Sequence, residues 1–159
     1  MPAGNTYEAI ATTTLGSNAG SVTFSSVPGT YTDIVAICSI KLSSGSTIYT
    51  QVNADNGNNY SSTGLNGEAG VASSSSNSNI NSPLFGYSGN TTDFNNCIIQ
   101  YMNYANTTTN KTILGRGNAS DYVTARVALW RNTAAITEIK ILGSFATGST
   151  FSLYGIKAA

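Results

Sequence analysis

The sequence predicts an all-β protein, a jelly-roll-like antiparallel β-sandwich forming a single domain over residues 1–159. Three observations carry this prediction. Apolar and polar residues alternate with a period of two along several short runs, the mark of half-buried strands. Gly, Asn, Asp, Ser and Pro recur as turn signals roughly every 8–12 residues. No stretch shows a helical period of useful length. About eight to ten short strands at this spacing read as a sandwich, jelly roll or barrel.

The densest alternations lie in the last third. In Tyr122–Trp130, Val123, Ala125, Val127 and Leu129 point one way, and Tyr122, Thr124, Arg126 and Trp130 point the other. Ile139 and Ile141 alternate with Glu138 and Lys140, and Phe151 and Leu153 form an apolar row in 150–157. These apolar rows are expected to form the core.

Earlier elements follow in order. Residues 7–15 read as a Thr-rich edge strand and 22–24 as a short strand. Val27-Pro-Gly-Thr30 suits a type II turn with Gly29 at positive φ. Residues 33–42 carry Ile34, Val35, Ile37 and Ile40 on both faces, which predicts a central strand covered on both sides. A strand at 47–52 precedes Asn53-Ala-Asp-Asn-Gly-Asn-Asn59, which has tight-turn chemistry. Residues 61–82, with Ser73–Ser76 at their centre, are too polar to bury and read as a flexible Ser/Asn/Gly-rich surface loop. A short strand at 83–87, a loop at 89–96, a strong strand at 97–104, a turn at 106–110 and a strand at 111–114 follow. Gly115 and Gly117 are expected to break that last strand.

Composition excludes several function classes. Ser, Thr, Asn and Gly make up roughly half the chain, against an ordinary globular mix. Charged residues are 9% and the net charge is zero. Lys41, Lys111, Arg116, Arg126, Arg131, Lys140 and Lys157 are scattered, so no basic patch for nucleic acid forms in the sequence. No apolar run reaches the length of a membrane-spanning helix. Met1-Pro-Ala-Gly-Asn lacks the basic and apolar segments of a secretion signal, so synthesis in a cytoplasm is expected.

No catalytic, cofactor-binding or metal site is predicted. The chain has no His, which removes the commonest general base and metal ligand. The carboxylates Glu8, Asp33, Asp55, Glu68, Asp93, Asp121 and Glu138 fall in different turns and strands, with no glycosidase-like pair suggested by spacing. Asn53 and Asp55 are spaced somewhat like the start of a calcium loop, but the closing bidentate carboxylate is missing, and a turn is favoured. Cys38 and Cys97 sit in apolar runs and are expected as two reduced, buried thiols, bridgeable only if their strands are neighbours. Tyr49, Tyr60, Tyr87, Tyr101, Tyr104, Tyr122 and Trp130 could build a sugar-binding platform, although core and cross-strand positions are favoured for each.

A set of blocks occurs in order: residues 24–35 (FSSVPGTYTDIV), 52–60 (VNADNGNNY), 101–112 (YMNYANTTTNKT), 129–136 (LWRNTAAI) and 145–156 (FATGSTFSLYGI). Together they resemble a family of small structural proteins of tailed bacteriophages, common among phages of cyanobacteria and other aquatic bacteria. The resemblance implies a β-sandwich or jelly-roll module of the virion with no catalytic residues and no cofactor. The function expected from it is a capsid-decorating (cement) protein that binds and stabilises the head exterior. The alternative is a tail, baseplate or fibre component touching host surface glycan. Expected partners are the major capsid protein or other virion proteins and, by analogy, two further copies in a homotrimer. The residues expected at the contact are Met1–Tyr7, the Ser-rich loop and exposed strand edges.

Overall fold

A computed structural model describes residues 6–45, 47–87 and 92–157. The described residues form twelve strands: β1 (Tyr7–Thr14), β2 (Ala19–Phe24), β3 (Asp33–Ile40), β4 (Thr47–Val52), β5 (Tyr60–Glu68), β6 (Val71–Ile80), β7 (Leu84–Tyr87), β8 (Asn95–Tyr101), β9 (Lys111–Asn118), β10 (Tyr122–Trp130), β11 (Ile139–Phe145) and β12 (Thr150–Ile156). They pair as an eight-stranded sheet, β1-β12-β3-β8-β9-β10-β5-β6, and a four-stranded sheet, β2-β11-β4-β7. All pairings are antiparallel. The chain is an all-β sandwich, as its alternation predicts.

The strand order is that of a jelly roll with two insertions. In β1-β12-β3-β8 and β2-β11-β4-β7, each strand of one sheet has its neighbour in the chain at the matching place in the other. Eight strands wrapped in this way make a jelly roll. The hairpins β5–β6 and β9–β10 are inserted between β4 and β7 and between β8 and β11, and both add to the same sheet. They build a wing, β9-β10-β5-β6, along one side of the jelly roll.

The core lies between the sheets. Ile34, Ala36, Cys38 and Ile40 of β3, Ile99 and Tyr101 of β8, and Phe151 and Leu153 of β12 meet Ile139, Ile141, Ile48 and Val52 from the smaller sheet. Phe145 and Phe151 pack edge to face across it, with ring centroids 4.8 Å apart. Two tyrosine hydroxyls tie the sheets together. Tyr101 bonds Thr50 Oγ1 at 2.7 Å, and Tyr60 Oη accepts from the Val52 amide at 3.1 Å while donating to the Asp55 carbonyl at 3.2 Å. Burial raises both phenol pKa values, that of Tyr60 to about 12.

The structure corrects five sequence expectations. The Ser-rich segment within 61–82 is the hairpin β5–β6, not a flexible loop. Ala69 and Gly70 both take positive φ, at 47° and 80°, the geometry of a two-residue type I′ turn. Hydrogen bonds replace burial as the reason this polar strand pairs. Gly115 and Gly117 lie within β9 and do not end it. The Phe85 ring of β7 rests on Gly115, where an added Cβ would come within 2.0 Å of Phe85 Cδ1. Gly29 does not take positive φ and the 27–30 turn has no positive-φ residue; Ser26, just before it, does, at φ 57°. β3 is central, but its outer face is covered only in part: Val35 is buried while Ile37 is 42% exposed.

The fifth correction concerns β10. Its buried row is Tyr122, Thr124, Arg126, Ala128 and Trp130, while Val123, Ala125, Val127 and Leu129 face outward. By contrast Ile139, Ile141, Phe151 and Leu153 are buried as the alternation predicts.

Gly115→Ala is expected to destabilise the fold by about 1–3 kcal/mol, because the Phe85 ring must shift in a packed core. Gly16→Ala, with nothing near its added Cβ, is expected to be close to neutral. Urea denaturation midpoints of the two variants check this.

Candidate functional site

The β10 inversion has a local cause. Trp130 closes one end of the inner row, stacked 6.4 Å from Tyr60, and its Nε1 donates to Asp55 Oδ2 at 2.7 Å. Arg126, two turns of the pleat away, points inward too. Its Nη2 donates to Asn66 Oδ1 at 3.1 Å and its Nη1 to Ser75 Oγ at 3.3 Å, reaching β6 across β5. Gly64 makes that crossing possible, since a Cβ there would lie 2.7 Å from Nη1. Thr124 adds a bond to the same Asn66 oxygen at 3.0 Å. Arg131, just past β10, donates to the Asn58 carbonyl at 2.7 Å, to Asn79 Oδ1 at 3.1 Å and to Ser61 Oγ. The inner face of the wing thus joins the core through Tyr60, Ile113 and Trp130 and is held by polar bonds around Arg126, while Leu65, Val123, Val127 and Leu129 are turned outward.

The outward side chains align across the sheet. One row runs Tyr154, Val35, Gln100, Leu114, Val127, Thr63, Ser76 through successive register partners. The next runs Ser152, Ile37, Ile98, Arg116, Ala125, Leu65, Ser74. Leu65 is 65% exposed, Val123 60% and Val127 51%. Between β8 and β5 the face forms an open trough of about 440 Å³, lined by Leu65, Ile98, Leu114 and Val127 with Gln100 and Arg116. Isolated exposed apolar residues are ordinary, but a contiguous apolar face marks a contact surface. Arg116 is the single charged side chain in the two rows, and among the described residues it makes no ion pair. The arrangement suits shape-based docking of another surface, since its one cation is the only group with strong chemistry.

Three of the carboxylates serve the fold at separate places. Glu8 pairs with Lys157 at 2.7 Å and accepts from the Tyr31 hydroxyl at 3.2 Å; these bonds hold its pKa below the usual range. Asp33 accepts from Gln100 Nε2 and the Asn103 amide, both at 2.7 Å. Asp55 is filled by Trp130 Nε1, the Gly57 amide at 2.9 Å and Asn59 Nδ2 at 3.0 Å, the bonds of a turn. Burial pushes the Asp55 pKa up, but these donors outweigh it and hold the pKa below its ordinary value. Asn53 clamps the same turn to 135–138, accepting the Thr137 amide at 2.8 Å and donating to the Ala135 carbonyl at 2.8 Å. Among the described residues no three His, Cys, Asp or Glu side chains gather as a metal set.

Cys38 and Cys97 are direct register partners on β3 and β8, buried and both free thiols. Burial raises both thiol pKa values, that of Cys97 to about 12. Most of the aromatics proposed for a sugar platform are interior, and the Tyr87 side chain lies outside the described residues. Tyr60, Tyr101, Tyr104, Tyr122 and Trp130 are buried, and Tyr104 donates to the Pro28 carbonyl. Of the expected contact residues, Met1–Asn5 lie outside the described residues.

No protein-family model matches the sequence, and no curated protein matches it.

Asp55→Ala is expected to destabilise the protein by about 1–3 kcal/mol at pH 7, because the buried Trp130 N–H loses its acceptor. The depressed Asp55 pKa stabilises the fold above the unfolded value of about 3.9, and that contribution is lost as pH falls through the folded pKa. Wild-type stability should therefore decline below about pH 4, and the variant should show a shallower decline. Trp130 fluorescence during urea titrations from pH 2.5 to 7 reads both.

Proposed function

We propose that this protein is a bacteriophage virion structural protein, a capsid-decorating module whose wing face docks on the exterior of the head. The observation that carries the proposal is the contiguous apolar outer face of the eight-stranded sheet, with Arg116 as the one charge in its two central rows. A surface of this kind binds by area and shape, which suits a stabilising role on a protein shell. The jelly-roll order agrees with the module implied by the family resemblance, although fold by itself does not fix function. The weakly charged, hydroxyl-rich skin suits a protein packed at high local concentration.

The alternative is a tail or baseplate component contacting host glycan. It draws less support, because the aromatic side chains that would stack on sugar rings are mostly interior.

Two measurements test the proposal. Quantitative mass spectrometry of purified particles should give copies on the scale of the capsid three-fold sites. A handful of copies would place the protein on the tail, and absence from particles would overturn the virion reading. The double variant Leu65→Lys/Val127→Lys is expected to lose at least about tenfold in particle occupancy while keeping its melting temperature, since buried lysines oppose docking of an apolar face. Unchanged occupancy would remove this face from the interface.

A further inference from the structure

β6 is the outermost strand of the eight-stranded sheet, and one of its backbone edges pairs with β5. Among the described residues no strand pairs with the other edge, which presents a row of amide and carbonyl groups. Folded proteins ordinarily blunt such an edge with charge, proline, a bulge or a short strand. β6 has none of these over its middle. It is ten residues long, Val71-Ala-Ser-Ser-Ser-Ser-Asn-Ser-Asn-Ile80, without a charged residue or proline. Its register with β5 is regular from Val71 to Ser78, with a shift only beyond, between Ser61 and Tyr60 of β5.

The strand is also held in place. Arg126 of β10 reaches Ser75 and Arg131, just past β10, reaches Asn79, so a partner need not order it on binding. Preorganisation of this kind lowers the entropic penalty of association.

The opposite edge of the same sheet differs. β1 carries Glu8, ion-paired to Lys157, and a register irregularity between Ala9 and Ala11. One edge is open and the other is interrupted. A head-to-tail chain of sheets would need both, whereas a two-fold pair needs β6 alone.

We propose that β6 pairs with β6 of a second copy, antiparallel about a two-fold axis near Ser75. In that register Ser74 of one copy faces Ser76 of the other. Strand neutrality removes the like-charge repulsion that self-pairing would otherwise bring. The side chains suit the pairing too, because the protein already joins strands through hydroxyl pairs. Thr12 meets Ser152 at 3.0 Å and Thr14 meets Thr150 at 3.1 Å. The contact is small, well under the roughly 1,200 Å² of a stable complex, so the dimer forms at high concentration. The inference is independent of what docks on the apolar face.

Sedimentation velocity from about 1 µM to 1 mM tests it. The wild type should rise in mass toward twice the 16.5 kDa of one chain. Ser74→Lys/Ser76→Lys and Ser74→Glu/Ser76→Glu should each weaken association at least about tenfold by placing like charges opposite each other. Mixing the two variants should restore the dimer. Unchanged melting temperatures would separate lost pairing from lost folding; Leu65→Lys/Val127→Lys should associate like the wild type. A wild type that stays monomeric, that forms a trimer, or whose association ignores these charges would overturn the proposal.

Discussion

An eight-stranded sheet faces a four-stranded one, and that mismatch in width governs the rest of the molecule. A sandwich core needs two apolar faces about 10 Å apart. The smaller sheet supplies the second face only as far as β7, which lies against β9 and β10. Phe85 marks the limit, its ring pressed on the bare backbone of Gly115. Beyond it sheet-on-sheet burial continues only where Tyr60 and Trp130 reach the core. The rest of the wing is held by side-chain hydrogen bonds centred on Arg126 and Arg131, and Leu65, Val123, Val127 and Leu129 are left on the outside. One constraint on packing thereby produces the surface proposed for docking.

The same polar bonds make that surface stiff. Asp55 fastens Trp130 at the end of β10, Asn53 fastens the 53–59 turn to 135–138, and Tyr60 fastens β5 to β4. Each is a buried or half-buried group with its partners in place, so each resists local opening. A rigid face loses little freedom on docking, and a rigid β6 loses little on pairing. The apolar face runs from the jelly-roll strands β3 and β8 onto the wing, whose far edge is β6.

Much of the architecture was legible in the sequence because burial there follows the simple period of two. Ile139, Ile141, Phe151 and Leu153 behave as their alternation predicts, and β4 has the predicted limits. The wing was not legible for a physical reason. Alternation gives the two faces of a strand but not which face is inside, and in β10 the row with Arg126 and Thr124 is the buried one. Trp130 and Tyr122 in that same row were the available signal, since large aromatics rarely concentrate on the solvent side. β6 was hidden by its polarity, because its partners are arginines two strands away; the pair Ala69-Gly70 was the local sign of a hairpin. The outer apolar face followed from neither motif nor composition, as its residues converge from β3, β8, β9, β10 and β5 only through register.

The outward direction of the Val123–Leu129 row is the claim on which the functional account stands. Native-state thiol labelling of Val127→Cys and Ala128→Cys measures it directly, with the background low because Cys38 and Cys97 are 0% and 2% exposed. Rapid labelling at position 127 and protection at 128 is the predicted result. Protection at 127 with rapid labelling at 128 would put the apolar row in the core and contradict the account.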